Sequence, residues 1–268
     1  MERIAIISDI HGNKTALETV LEDIKKREIK RIFCLGDIVI KGPNPDITVD
    51  LIREKCDVVL KGNCDESVST ERALEKKFWT RMKIGEERAK YLENLPVSYD
   101  FYLSGRLVRL FHSSPFGLDF ICNPAFSNVN NRYADMEIHD PLKMFENTEF
   151  VGKTEQDKIP DIVGYGHIHT PNLFRYGNKI LFNTGSVGSA NEMLNNGEED
   201  DLTNKFSTLA SYTILEGEYG STELGSISIT NVRIPYDTEK EIAMLENSDM
   251  PGKEKIIFSL RTASTNYR

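Results

Sequence analysis

Four of the five histidines of this chain lie in short motifs that each follow an apolar run typical of a β-strand. In chain order these motifs are Asp9-Ile10-His11, Gly36-Asp37, Gly62-Asn63-Cys64-Asp65, His112 and Gly166-His167-Ile168-His169. Their candidate ligands are carboxylates, imidazoles and an amide, the donor set of divalent metals in hydrolytic enzymes. The pattern predicts a dinuclear metal centre assembled from distant parts of the chain, and with it a metal-assisted hydrolysis.

The position of Asp37 suits a carboxylate that bridges two metal ions, which lie only ~3.5–4 Å apart in such centres. It directly follows an apolar strand, and Gly36 before it predicts a close backbone approach to the ions. Asp9 and His11 are two residues apart, so both can reach one ion if the strand ends between them.

The other candidates contribute in different ways. His167 and His169 have the same two-residue spacing and can serve the two ions separately. Asn63 offers an amide oxygen to an ion or to a substrate oxygen. A lone histidine after a strand is often structural, but without His112 the centre lacks its fourth nitrogen donor, which favours ligation. His139 lies in a polar stretch and is interpreted as a surface or helix-entry histidine.

The composition is that of a globular protein with a full core. The chain has 268 residues, of which 39% are apolar and 28% charged, and it shows no repeat or linker, so we expect a single domain over residues 1–268. No apolar run approaches the ~20 residues needed to span a bilayer. The first residues already follow a strand pattern rather than that of a signal peptide, so we expect a cytoplasmic protein.

The net charge and the cysteines argue against proteins that bind nucleic-acid backbone and against proteins built on disulfides. A net charge of −9 disfavours binding to the phosphates of a nucleic acid, although metals could still hold a small anionic substrate. The four cysteines form no CxxC pair and are expected to be reduced thiols.

Strands and helices alternate in the first third of the chain, which predicts parallel pairing in a covered sheet. Ligands bind beyond the carboxyl ends of such strands, where Asp9, Asp37 and Asn63 lie. The predicted elements are a strand at Arg3–Ser8, a helix at Lys14–Arg27 capped by Asn13, a strand at Arg31–Leu35, a helix at 45–54 and a strand at Asp57–Leu60.

Residues 66–95 read as a helical insertion of two helices lying over or beside the site. They carry Trp79 and the arginines Arg72, Arg81 and Arg88. Two interpretations stay open: these residues cap the site and stack a base, or they form a solvated face with one packed tryptophan.

The second half predicts further strands and a C-terminal strand and helix extension over about 206–268. The expected elements are a hairpin over 97–112, a long loop at 113–135, a short helix at 141–147, strands at 162–165, 173–176 and 179–183, a mobile acidic loop at 191–205, strands at 209–215 and 226–234, a helix at 238–246 and a last strand at Lys255–Leu260.

The ordered motifs resemble the calcineurin-like metallophosphoesterase superfamily, whose signature is DxH, GDxxxxG, GNH(D/E), H and GHxH. Residues 36–42 match the second block completely, residues 166–169 match the last, and a family-typical strand follows at Phe182–Ser186. The resemblance covers about two thirds of the chain and is specific, because five blocks agree in order.

The resemblance implies an α/β fold, a four-layer α/β/β/α sandwich with two mixed sheets. It implies two divalent or trivalent ions and a metal-bridging hydroxide that attacks a small phosphoester, with a nucleotide as a candidate. Manganese or iron fits the donor set best, with zinc or nickel as alternatives. One ion would be held by Asp9, His11, Asp37 and His169, and the other by Asp37, Asn63, His112 and His167; Asp37, Asn63, Asp65 and His112 would be the catalytic residues, and Asn63 and His112 would also bind substrate.

Cys64 departs from the majority pattern, which has a histidine there that protonates the leaving group beside an acidic partner, here Asp65. A thiol with a pKa near ~8.5 is a poor acid for this role, so a small buried residue is the favoured interpretation of Cys64. A GNCD block resembles the YfcE-type phosphodiesterase branch. The departure favours esters with good leaving groups, or protonation by His112 or by solvent.

A second, weaker resemblance rests on short segments. Ile234-Pro235-Tyr236-Asp237, taken with the 66–95 insertion, resembles a longer branch that includes dinucleoside polyphosphate hydrolases. Two alternative functions stay open, a protein serine/threonine phosphatase and a catalytically weak regulator that binds metal or nucleotide.

Overall fold

Strands and helices alternate from the N-terminus, as the sequence predicts. The computed structural model describes residues 1–69, 75–124, 134–152, 157–195 and 202–264. The first elements are β1 (Glu2–Ile7), α1 (Lys14–Lys26), β2 (Arg31–Cys34), α2 (Pro45–Lys55) and β3 (Val58–Val59). β1, β2 and β3 pair in parallel, so their carboxyl ends share one edge of the sheet.

Asn13 caps α1 by accepting a hydrogen bond from the Ala16 amide at 2.9 Å.

Two helices occupy the region of the predicted helical insertion, and the hairpin after it is also present. The middle of the chain contains α3 (Asn63–Ser69), α4 (Glu75–Glu93), β4 (Ser98–Leu103), β5 (Arg106–Phe111), 3-10 helices at Ala134–Met136 and Pro141–Phe145, β6 (Ile162–Tyr165), β7 (Asn172–Tyr176) and β8 (Lys179–Asn183).

Two predictions in the last third are wrong. The remaining elements are β9 (Asn191–Asn195), β10 (Leu202–Phe206), β11 (Leu209–Gly217), β12 (Ser228–Pro235), α5 (Thr238–Glu246) and α6 (Lys253–Thr262). Within the predicted loop at 191–205, residues 191–195 and 202–205 belong to the antiparallel pair β9 and β10, whereas residues 196–201 lie outside the described part of the chain. The predicted strand at Lys255–Leu260 lies in α6, where Ile257 and Leu260 are buried at helical spacing.

Two mixed five-stranded sheets, ordered β12-β11-β1-β2-β3 and β4-β5-β6-β8-β7, form the mixed α/β fold that was predicted. Alternate residues of β1 point to opposite faces: Ile4 and Ile6 belong to the core between the sheets, whereas Ala5 and Ile7 pack in the helix-facing core. On the outer face of the second sheet, the described residues that pack against it come from the 3-10 helix Pro141–Phe145 and from loops.

Two further sequence expectations can be compared with the fold. All four cysteines are free thiols. Among the described residues, no helix combines the length and the apolar character that crossing a bilayer requires.

A buried cation ties the second sheet together. The Arg109 side chain of β5 is completely buried and donates two hydrogen bonds of 2.8 Å to the Asp100 carboxylate of β4. It also donates to Asn147 at 3.0 Å. A buried guanidinium depends on such partners, because removing one of them leaves an uncompensated charge in the interior.

We therefore expect Asp100→Ala to lower the free energy of unfolding by about 3 kcal/mol or more, measured by urea denaturation. Glu246→Ala is the control, because it removes the partner of the exposed Arg261 at 2.8 Å, and such surface pairs contribute only about 0–1 kcal/mol. Equal losses in the two variants would contradict a special role for the buried pair.

Candidate metal centre

The candidate ligands follow the carboxyl ends of strands from both sheets. Asp9 and His11 follow β1, Asp37 follows β2, and Asn63 begins α3 after the short β3. The other sheet contributes His112 after β5, and His167 and His169 after β6. Because β5 and β6 run parallel, their ends lie at the same edge, and the structure brings all seven predicted side chains together.

One group of ligand atoms consists of Nε2 of His11, Nε2 of His169 and one carboxylate oxygen each from Asp9 and Asp37. His11 Nε2 lies 3.0 Å from His169 Nε2. Asp9 Oδ1 is 3.1 Å from His169 Nε2 and 3.7 Å from His11 Nε2. Asp37 Oδ2 lies 3.7 Å from His11 Nε2 and completes the group.

A second group surrounds the amide oxygen of Asn63. This oxygen is 3.1 Å from His112 Nε2 and 3.2 Å from His167 Nδ1. The other oxygen of Asp37, Oδ1, lies 3.4 Å from His112 Nε2. Asp37 thus directs one carboxylate oxygen to each group, which is the geometry of a bridging ligand.

Backbone carbonyls set the tautomers of three histidines. Nδ1 of His11 faces the Val39 carbonyl at 3.2 Å, and Nδ1 of His112 faces the Leu35 carbonyl at 3.0 Å. His169 Nδ1 likewise faces the Ser189 carbonyl. These partners assign the proton to Nδ1, so each Nε2 presents its lone pair to the centre, as in metal-ligating histidines.

Hydrogen-bond acceptor atoms of different ligands therefore face one another in the centre. The Nε2 lone pairs of His11 and His169 face each other, and the buried Asp9 Oδ1 has no hydrogen-bond partner among the described residues. Two atoms that each lie ~2.1 Å from one ion, at 90° to 109°, are about 3.0 to 3.4 Å apart. The separations of His169 Nε2 from His11 Nε2 and Asp9 Oδ1, 3.0 and 3.1 Å, fit this spacing, and a cation between these atoms would relieve their repulsion.

The surroundings of Asp37 and His167 favour the protonation states that metals need, whereas Asp37 and its neighbours raise the pKa of His112 against the effect of burial. Burial opposes ionisation of Asp37, but His112 and His11 hold its pKa below the ordinary value. Burial, together with His112, lowers the pKa of His167 to about 4. An ionised carboxylate and a neutral imidazole are the states in which these groups bind metal ions.

Backbone strain is concentrated at the ligands. Five of the seven have left-handed backbone, with φ of 56° at Asp9, 51° at His11, 53° at Asp37, 66° at His167 and 61° at His169. Such conformations cost side-chain-bearing residues about 1–3 kcal/mol each and persist only where the surroundings hold them. Here hydrogen bonds between loops hold them, including the Asp9 amide to the Gly36 carbonyl and the His11 amide to the Asp37 carbonyl, both 2.9 Å.

Gly36 permits a close contact between two ligand-bearing loops. A Cβ at this position would lie 2.3 Å from the Gly62 amide nitrogen. The approach of this backbone to the ions stays a prediction.

Lys41 is a site residue that the sequence motifs do not indicate. Its Nζ lies 3.0 Å from His11 Nε2 and 3.5 Å from His169 Nε2, so a positive charge already faces the acceptors of the first group. Both Lys41 and the preceding Ile40 have left-handed backbone, with φ of 70° and 69°. The only sequence signal was a lone cation inside the Gly36–Gly42 motif.

Asp65 ties two loops together. Its Oδ2 accepts hydrogen bonds from the amides of Asp37 at 2.8 Å and Gly62 at 3.0 Å, and its Oδ1 accepts from Ile38 at 3.0 Å. Burial and the charge of Asp37 raise its pKa to about 7, against the effect of these donors. Both oxygens face backbone amides, which favours a positioning role for Asp65; its predicted catalytic role stays a prediction.

We expect Asp65→Asn to lower the free energy of unfolding by about 2 kcal/mol, because either orientation of the amide places an NH2 group against at least one backbone N–H donor. Urea denaturation measures this loss. Glu66→Gln, an exposed change on the same helix, is the matched control and should leave the stability within about 0.5 kcal/mol of the parent. An Asp65→Asn protein as stable as this control would contradict the tethering role.

Cys64 adds to the centre through its backbone. Its amide donates to Asp37 Oδ1 at 2.8 Å, which fixes the orientation of that carboxylate. Burial and the neighbouring Asp37 raise the pKa of the thiol well above its ordinary value. A thiol that holds its proton this tightly is a poor general acid, although Cys64 is half-buried rather than fully buried.

The insertion packs beside the centre, and its polar groups are engaged with the protein. Arg81 pairs with Glu86 at 2.6 Å, and Arg88 binds both oxygens of Asp50. Trp79 contacts the cluster formed by α5 and α6 and donates to Asp249 at 3.0 Å. These contacts favour the interpretation of a solvated face with one packed tryptophan; Arg72 lies outside the described residues.

Comparisons with known proteins agree with this geometry. The model of the calcineurin-like phosphoesterase superfamily domain matches residues 2–197. The uncharacterized protein MJ0912 of Methanocaldococcus jannaschii is 30% identical over 257 residues, which cover 92% of this chain and 93% of that protein.

Two solved structures share the fold. A metallophosphoesterase from Sphaerobacter thermophilus has a TM-score of 0.66 at 22% identity, with 98% of this chain and 99% of that chain covered. The hypothetical protein PH1004 from Pyrococcus horikoshii OT3 has a TM-score of 0.69 at 17% identity, with 97% and 98% covered. With five ligand motifs gathered at one buried centre and a family match over most of its length, the chain belongs to the calcineurin-like phosphoesterase superfamily and is a phosphoester hydrolase.

Proposed function

We propose that the protein is a dinuclear metal-dependent phosphodiesterase, or a hydrolase of a nucleotide phosphoanhydride. The observation that carries the proposal is Asp37, which directs Oδ2 at the group of His11 and Oδ1 at the group of His112. Asp9, His11 and His169 would hold one ion together with Asp37, and Asn63, His112 and His167 would hold the other. Manganese and iron suit this donor set best, with zinc and nickel as alternatives.

The bound ions would activate a water molecule and neutralise the charge that develops on the phosphoryl oxygens. The protein would supply the orientation. Cys64 fixes the bridging carboxylate through its amide, and carbonyls hold the imidazoles in one tautomer. The Lys41 ammonium faces the same space and would pair with a phosphoryl oxygen once the ions occupy the acceptors.

The leaving group distinguishes the candidate substrates. As a metal ligand through Nε2, with Nδ1 on the Leu35 carbonyl, His112 would have no free proton to give to a departing alkoxide. Cys64 keeps its thiol proton. This arrangement favours a leaving group that needs no protein acid, such as an aryl oxide or a phosphate, and it disfavours the serine/threonine phosphatase alternative.

The single-domain organisation over residues 1–268 is part of the same proposal. It is supported by the first sheet, in which β11 from the last third of the chain pairs with β1 from the first. β12 extends the same sheet, so the extension at 206–268 contributes strands to the sheet that carries Asp9 and Asp37.

We expect Asp37→Asn to lower kcat for bis(p-nitrophenyl) phosphate, assayed with manganese, by at least about a thousandfold, because the bridging charge is lost. Elemental analysis should also show fewer bound metal ions per chain. Asp135→Asn, at an exposed position, is the control and should match the parent. A near-normal rate in the Asp37→Asn protein would contradict the bridging role of Asp37.

Rates on three substrates would separate the candidate functions. An aryl phosphodiester, diadenosine tetraphosphate and a phosphoserine peptide are compared in protein loaded with defined metals. We expect the first two to be hydrolysed at least about a hundredfold faster than the peptide, because the alkoxide leaving group needs an acid. Preference for the peptide would favour a protein phosphatase, and full metal occupancy with no turnover would favour a regulator.

Replacing Lys41 should strengthen the binding of metal and weaken the binding of substrate. Lys41→Met removes a cation 3.0 Å from a ligand nitrogen, so manganese should bind more tightly in calorimetry. The same change should raise KM for bis(p-nitrophenyl) phosphate by about tenfold, because a charge-assisted contact to the phosphoryl group is lost. If both quantities stay within a factor of two, Lys41 has no role at the centre.

A further inference from the structure

A cavity of about 900 Å³ extends from the metal centre to the C-terminal helices α5 and α6. This volume is at the upper end of the range of small-molecule sites and exceeds what a phosphoryl group alone would fill. At one end lie Asn63, His11 and His169. The far wall is apolar and is formed by Phe206, Met250, Ile256 and Leu260.

The far wall comes from the part of the chain beyond the family match. That match ends at residue 197, and the four apolar residues of the far wall lie at 206 and after it, whereas Ile40, Ile121 and Met136 line the cavity from within the matched segment. The metal centre is therefore built from family motifs, whereas the space beside it is shaped in part by the C-terminal extension. Such a division points to the wall as the part that contacts the organic portion of a substrate.

Glu241 of α5 lines this cavity and is only 1% exposed. Its Oε2 accepts a hydrogen bond from the Thr15 amide in the first turn of α1, at 3.3 Å. Its Oε1 is buried and has no hydrogen-bond partner among the described residues. The hydrogen bond to the first turn of α1 thus accounts for Oε2. Oε1 stays unpaired, although burying an unpaired acceptor costs free energy.

The other charged groups on the cavity wall do not account for this oxygen. Lys41 faces the histidines at the metal centre, and Asp119 is exposed. Lys255 of α6 also lines the cavity, and no ion pair links it to Glu241 in the described part of the chain. Burial raises the pKa of Glu241, in opposition to its contacts with Thr15. A ligand that donates an N–H group would satisfy Oε1 and compensate for its burial.

We propose that Glu241 is a specificity-determining residue that accepts a hydrogen bond from the nucleobase of a nucleoside phosphate whose phosphoryl group lies at the metal centre. The proposal rests on the proposed function. A flat ring with an amino or ring N–H group combines the two properties that the cavity offers, an apolar wall at Phe206, Met250 and Leu260 and a lone carboxylate acceptor.

The test uses Glu241→Gln in the full-length, manganese-loaded protein. The Thr15 amide still needs an acceptor, so the amide oxygen of the new side chain stays on Thr15 and its NH2 group faces the cavity in place of Oε1. The variant therefore keeps the helix cap and reverses the hydrogen bond offered to a ligand. Glu239→Gln, which removes the same charge at an exposed position of α5, is the matched control.

Calorimetry compares phosphonate analogues of AMP and GMP with the analogue of purine riboside 5′-monophosphate, whose base carries no N–H group. We expect the parent protein and the Glu239→Gln protein to bind at least one amino-bearing analogue about tenfold or more tightly than the purine analogue. In the Glu241→Gln protein this preference should disappear, while thermal unfolding stays within about 2 °C of the parent, since the cap is kept.

Three results would overturn the proposal. One is a parent protein that binds the three analogues equally, and another is a preference that survives in the Glu241→Gln protein. The third is tighter binding of glycerophosphoethanolamine that depends on Glu241, which would assign Oε1 to an aliphatic ammonium group. Failure of the proposed function would differ from all three, because it is the lack of hydrolysis of any phosphoester by a protein that still shows the binding preference.

Discussion

The repulsion between buried acceptors is the interaction on which the rest of the structure depends. His11 and His169 direct unprotonated nitrogens at each other at 3.0 Å, beside an Asp9 oxygen that has no hydrogen-bond partner among the described residues. A cation makes this arrangement favourable, and the Lys41 ammonium faces the two histidines at 3.0 and 3.5 Å. The left-handed backbone at five ligands and the carbonyls behind three imidazoles hold these groups in place.

Hydrogen bonds and close backbone contacts between the ligand-bearing loops hold these loops in place. Asp65 binds the amides of two ligand loops, and Gly36 and Gly62 let those loops touch. The His167 amide donates to Asp9 at 3.0 Å, which links the two sheets at their shared edge. We therefore expect a change at one loop to affect both ligand groups, including a change at a position that faces no metal ion.

The ligands and the parallel strands could be predicted because both are encoded in short segments. A donor after an apolar run, repeated in order, implies convergence at a sheet edge whatever the details of packing. Lys41, Glu241 and the role of Asp65 could not be predicted, because each depends on partners distant in sequence. The same limit applies to α6, since the apolar run of Ile256 and Ile257 suits a strand and a buried helix equally, and only the packing of α5 against α6 decides.

The division between the centre and the C-terminal wall separates two kinds of selectivity. In the proposed function, groups at the centre would act on the phosphoryl group and the leaving atom, where the raised pKa of the Cys64 thiol favours departure without a protein acid. Phe206 and Glu241 line the far part of the cavity, where they would act on the organic portion of a substrate. Because the second set lies outside the loops of the first, the extension can change what is bound without disturbing the strained turns. A family with one hydrolytic centre can therefore serve many phosphoesters by varying the segment beyond its shared motifs.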